Sequence, residues 1–214
     1  MIGAVELSGV GIKISTFILD LSGGNLIMTL VLVGLASFVL GMGLDSIPVY
    51  VTLATLMAPA LIQLGVSEMA AHLFVVYWGL ASFFTPPLCI AVFVAMSISG
   101  SKLWETGWEA VKLGIAAFII PFAFVLSPGL LLQGSAAQVA WAIGTALVGA
   151  ILIACGIRGY ALTPLGSLQR IAAGAGGLLL IGPGIYPPLI GIALAVIGVM
   201  PWGSVLRVRR KLAG

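Results

Sequence analysis

Residues 26–48 read LIMTLVLVGLASFVLGMGLDSIP. From Leu26 to Leu40 the run carries no charge and is apolar apart from Thr29 and Ser37, which predicts a strong membrane-compatible helix. Gly41-Met42-Gly43-Leu44-Asp45-Ser46-Ile47-Pro48 then crowds two glycines, an acid and a proline together, and no ideal helix continues through it. Residues 49–64 resume an apolar helix that contains Pro59. In lipid, such a break is tolerated only where protein or a water-filled cavity covers the freed carbonyls and amides. The pattern is a helix interrupted at depth, with an acid at the interruption.

Composition places the rest of the chain in the same solvent. Of 214 residues, 61% are hydrophobic and only 7% charged, whereas soluble domains carry about 25% charged residues. The expected fold is an all-α integral membrane protein, a multi-span helical bundle with broken helices. Apart from Lys13, every Lys and Arg lies at or after Lys102, ending in the cluster Arg207, Arg209, Arg210, Lys211. With no polar surface beside it, that cluster does not read as a nucleic-acid site. Placing Lys102, Lys112, Arg158, Arg170 and the tail on one side gives a consistent topology, and that side is predicted cytoplasmic. Contact with anionic lipid is a second reading of the tail. Cys89 and Cys155 sit alone in apolar runs and read as small buried hydrophobes.

A second break follows. Residues 69–84 and 88–98 are apolar arms around Thr85-Pro86-Pro87. At 1.5 Å per residue the arms are roughly 24 Å and 17 Å long, and neither comfortably crosses a core of about 30 Å. They form either one badly broken span or a re-entrant hairpin with Thr-Pro-Pro at its tip, the hairpin being preferred. The prolines remove backbone donors and bias Thr85 away from helix. Elsewhere, 5–21 predicts an amphipathic helix with Leu7, Val10, Ile14, Phe17 and Leu21 on one face, broken at Ser22-Gly23-Gly24-Asn25. Residues 101–112 predict an interfacial helix with Trp104 and Trp108 as belt residues. Spans are expected at 113–132 and 136–156. A polar loop should run from Arg158 to Arg170, and a final helix pair, 171–182 and 188–206, should be joined by Gly182-Pro183-Gly184 and Pro187-Pro188. Two domains are expected, 1–133 and 134–214.

The two breaks are the candidate chemistry. The first offers bare carbonyls, the Asp45 carboxylate and the Ser46 hydroxyl, oxygen ligands that suit a hard cation such as sodium. The second offers the Thr85 hydroxyl and carbonyls freed by Pro86 and Pro87. Either break alone also reads as a simple kink, and Asp45 also reads as a loop residue near the interface. Two breaks together, one carrying an intramembrane acid, favour function. Glu68 and His72 stand one helical turn apart; this reads first as a solvated helix start with Glu68 on the dipole, a proton relay being the lesser alternative. No G-x-S-x-G or H-E-x-x-H occurs, and no enzyme or cofactor is expected beyond a coupling ion.

At these residues the chain resembles a known family. Gly41-Met42-Gly43-Leu44-Asp45, Val49-Tyr50-Val51-Thr52-Leu53-Ala54, Ala58-Pro59-Ala60-Leu61 and Ala71-His72-Leu73-Phe74 carry the likeness, with Thr85-Pro86-Pro87, Lys112-Leu113-Gly114 and Ile120-Pro121-Phe122-Ala123-Phe124-Val125. Together they are similar to the C-terminal part of the large permease of tripartite ATP-independent periplasmic (TRAP) transporters, nearest to the fused DctM-like permeases that work with TAXI-type solute-binding proteins. The likeness covers roughly residues 10–133, and 134–214 resemble the C-terminal extension of those permeases. It implies a sodium-coupled importer of organic acids in a prokaryotic inner membrane, working by an elevator motion. By position, Gly41, Gly43, Asp45 and Ser46 match the family's unwound ion-binding segment, and Thr85, Pro86 and Pro87 its second hairpin tip. Where many TAXI permeases have Pro-Thr-Thr, this chain has Asp45-Ser46-Ile47, closer to dicarboxylate-type permeases. The family's first hairpin and first ion-binding half are expected upstream of Met1, so the N-terminal remainder of the permease is an expected partner.

Overall fold

The computed structural model describes residues 9–161, 163–184 and 186–199. The basic tail and the start of the predicted first helix lie outside the described residues. The chain divides into two compact units, Met1–Gln133 and Gly134–Gly214. Both are helical, and the described residues contain an isolated Tyr160–Pro164 bridge but no strand.

In the first unit α1 (Val10–Ser22) ends at Gly23 and α2 (Leu26–Gly41) begins under an Asn25 cap. α3 (Ser46–Leu56) and α4 (Ala58–Gln63) are one apolar stretch kinked at Met57. α5 (Glu68–Ala81) starts at Ser67, whose side chain accepts the Ala70 N–H as expected for a cap. α6 (Ile90–Ser99), α7 (Leu103–Leu113), α8 (Ala116–Leu126) and a 3-10 turn, Pro128–Leu131, complete it. α5 is the hub, packed by α2, α3, α4 and α8. Its Ala71, Phe74 and Val75 close on Leu30, Val33, Val49, Leu53 and Leu61.

Three stretches among the described residues are long and apolar enough to cross a membrane: Ser46–Gln63, Leu103–Leu126 and Ala136–Arg158. Together with the shorter apolar helices they establish the all-α membrane fold.

α1 is built differently from its sequence pattern. Phe17 and Leu21, on the predicted apolar face, are exposed, while Ser15, Ile18 and Ser22 are buried. In lipid the outside is as apolar as the inside, so small and polar residues take the helix contacts. Pro59 has no N–H to give Thr55, and α1 covers the consequence. A Cβ on Gly11 would stand 2.7 Å from the Thr55 carbonyl oxygen, and the Ser15 hydroxyl donates to the Leu56 carbonyl at 3.3 Å.

Several predicted boundaries move. The first break is shorter than 41–48, because Gly41 ends α2 and Ser46, Ile47 and Pro48 already form the first turn of α3, where a proline costs no hydrogen bond. The second is longer than Thr-Pro-Pro: α5 stops at Ala81 and α6 starts only at Ile90. α5 and α6 do not pack along one another; α6 lies on α7 instead. The predicted interfacial helix 101–112 and span 113–132 form one helical stretch from Leu103 to Leu126, interrupted only around Gly114.

Among the described residues the second unit is a bundle of three helices. α9 (Ala136–Arg158) starts in a Ser135–Gln138 capping box and is followed by α10 (Ser167–Ile181) and α11 (Tyr186–Val199). α10 begins before Arg170, so Arg170 is a helix residue and not the end of a loop. Its guanidinium donates to the Gly156 and Ile157 carbonyls at 3.0 and 2.8 Å, capping the end of α9. Pro187 and Pro188 likewise belong to the first turn of α11, where prolines are tolerated. Glycines set the spacing: a Cβ on Gly149 would meet the Gly177 carbonyl oxygen at 2.7 Å, and one on Gly191 that of Gly176 at 2.8 Å.

Candidate functional site

The first break runs from Met42 to Asp45. Gly41, the last residue of α2, is buried against α5 so closely that a Cβ would stand 2.5 Å from the Gly79 carbonyl oxygen. Gly43 carries the turn at φ +80, a conformation only glycine adopts without strain. Asp45 is the N-cap of α3: its Oδ1 accepts the Ser46 N–H at 2.7 Å and the Ser46 hydroxyl at 3.4 Å. Its own carbonyl takes the Val49 N–H at 2.9 Å. The Leu44 carbonyl has no such donor four residues on, because residue 48 is proline. Asp45 and Ser46 are both exposed in this chain.

The second break runs from Ser82 to Cys89. Tight turns follow α5, with the Ser82, Phe83 and Phe84 N–H groups each bonding three residues back. The Ser82 hydroxyl donates to the Gly79 carbonyl at 2.7 Å, and the Thr85 hydroxyl to the Ala81 carbonyl at 2.7 Å. The Pro86–Pro87 peptide is cis. Of the two carbonyls that these prolines deprive of a helical donor, Phe83 recovers one from the Ala91 N–H at 3.0 Å. The chain turns back on itself after the prolines and brings Ala91, eight residues on, within reach. Cys89 is fully buried.

The two breaks meet. Gly41 opens the first and Gly79 sits just before the second, and they touch backbone to backbone. Beyond them, Leu88 reaches to 3.8 Å of the Cβ position of Gly43. The seven predicted residues Gly41, Gly43, Asp45, Ser46, Thr85, Pro86 and Pro87 thus fall on two adjoining segments of one unit. Gly79, Ser82 and Leu88 belong to the same place and were not singled out from sequence. A glycine inside an otherwise regular helix, as at 79, is the signal that was available.

A family model describing the tripartite ATP-independent periplasmic transporter, DctM component, matches residues 1–139. The chain belongs to the DctM family. The match spans both breaks and the whole first unit. Comparison with curated proteins and with solved structures gave no match. As a DctM component the chain is a membrane permease subunit of a TRAP transporter, and the family implies a periplasmic solute-binding protein as partner and a lipid bilayer as surroundings.

The remaining polar candidates of this DctM-family chain separate from the breaks. His72 does not pair with Glu68; its Nδ1 lies 3.2 Å from the Tyr50 hydroxyl, which ties α3 to α5. Glu68 is exposed in the first turn of α5. Among the described residues no group of three or more His, Cys, Asp or Glu is placed to hold a metal ion. Any cation at the breaks would be held by carbonyl and hydroxyl oxygens with the Asp45 carboxylate, a donor set suited to a hard ion. Two buried polar atoms of α2 and α5, Ser37 Oγ and Trp78 Nε1, have no hydrogen-bond partner.

Proposed function

We propose that this chain supplies one half of the ion and substrate site of a sodium-coupled TRAP importer of organic acids. The other half lies in the N-terminal remainder of the permease, and a TAXI-type periplasmic protein delivers the substrate. The setting is a prokaryotic inner membrane, with the C-terminal tail cytoplasmic and the first unit moving in an elevator cycle. Gly41, Gly43, Asp45 and Ser46 would offer oxygens to the cation, with Thr85, Pro86 and Pro87 closing over ion and substrate.

One observation carries this reading: two interruptions in lipid-compatible helices adjoin through the Gly41–Gly79 contact. Simple kinks need not meet. The exposure of Asp45 and Ser46 fits a site shared with a further part of the permease. In a complete permease reconstituted with its binding protein, Asp45→Asn or Thr85→Ala should abolish sodium-dependent uptake and leave membrane insertion intact. Normal uptake in both variants refutes the assignment. The competing reading is a non-transporting scaffold subunit, in which sodium would not shift thermal stability.

A further inference from the structure

The second break leans on a helix outside the proposed site. α7 turns Trp104 and Trp108 outward, both more than half exposed, and pairs Lys112 with Glu109 at 2.7 Å. Its inner side holds Gly107, which is buried. Pro86 occupies the space that a side chain at 107 would need: a Cβ there would stand 2.6 Å from Pro86 Cγ. Gly114, just past the end of α7, is filled in the same way by Phe84, whose Cε2 would lie 2.5 Å from a Cβ. Seven residues separate the glycines, about two helical turns, so they share a side.

The return of the chain is fixed at the same place. The hydroxyls of Ser99 and Ser101 lie 2.6 Å apart, and Ser101 in turn bonds the Thr106 hydroxyl. Ser101, just before α7, is thus tied to Thr106 in the first turns of that helix, and the next residue, Gly107, is the one that Pro86 rests on.

We propose that Gly107 and Gly114 form a two-point seat for the tip, so that α7 sets the position of Thr85, Pro86 and Pro87. They are positioning residues, acting through Pro86 and Phe84 and not on any ligand. The consequence for transport rests on the proposed function; the seat itself does not. Tryptophans near one end of a spanning stretch anchor that end at the membrane surface, so the tip would be referenced to that surface.

Cys89 is a native reporter, because its thiol is fully buried at the end of the tip. In a Cys155→Ala chain in detergent or nanodiscs it is the single thiol. Gly107→Ala and Gly114→Ala should each speed its reaction with a water-soluble maleimide by about tenfold, through local opening. Gly144→Ala, whose Cβ would meet nothing within 4 Å, should react at the parent rate. Adding Phe84→Leu to Gly114→Ala should restore protection. Parent-like rates in both glycine variants, with tryptophan-fluorescence melting unchanged, overturn the seat. Failure of Phe84→Leu to restore protection does so too, including where Gly114→Ala alone unfolds the unit. Normal uptake in Asp45→Asn and Thr85→Ala would refute the ion site and leave these rates untouched, so the two failures are distinguishable.

Discussion

Gly41 and Gly79 meet backbone to backbone, with no room between them for a methyl group: a Cβ on Gly41 would lie 2.5 Å from the Gly79 carbonyl oxygen and 2.9 Å from its Cα. Backbone atoms cannot rotate away as a side chain can. Gly41→Ala should therefore push α2 off α5 and destabilise the first unit by about 1–3 kcal/mol. A thermal melt followed by tryptophan fluorescence checks this, and an unshifted midpoint would show that the helices do not cross so closely.

Asp45 has a capping role that must be separated from any ion role. Asparagine caps a helix about as well, so Asp45→Asn should change stability by only a few tenths of a kcal/mol, whereas Asp45→Ala should cost about 0.5–2 kcal/mol. Both remove the carboxylate charge. Sodium-dependent thermal stabilisation of the complete permease should disappear in both variants; its survival in the asparagine form would reduce Asp45 to a cap.

The Thr85 hydroxyl spends its proton on the Ala81 carbonyl at 2.7 Å, which leaves the oxygen's lone pairs as acceptors. Thr85→Ser should keep sodium-dependent uptake, and Thr85→Val, nearly isosteric, should remove it. The loss of one hydrogen bond in valine should cost about 1 kcal/mol in a melt. Uptake by the valine form at the parent level would exclude the hydroxyl from the site.

The second unit gives a test of opposite signs. Gly177→Ala should destabilise the α9–α10 contact by about 1–3 kcal/mol, since a Cβ there would stand 2.6 Å from the Gly149 carbonyl oxygen. Gly144→Ala faces open space and should be neutral or stabilising, by up to about 1 kcal/mol, through helix propensity. Equal effects would show that glycine at 177 has no packing role.

The sequence alone determined that the chain is helical and lies in lipid, because scarce charge and long apolar runs leave no other solvent. It also located both breaks, since glycine and proline act through local backbone geometry that needs no partner. It could not place their edges: Pro48 reads as a breaker, yet it sits harmlessly in the first turn of α3, and the second break widens to 82–89 because Ala91 turns back to the Phe83 carbonyl. Nor could it say which face of α1 is inward, since in lipid an apolar face need not be buried. That Gly41 meets Gly79, and that Pro86 and Phe84 rest on Gly107 and Gly114, only the tertiary structure decided. Such contacts depend on where helices cross, and glycine's signal in sequence, the lack of a side chain, is the same whether a neighbour fills the space or nothing does.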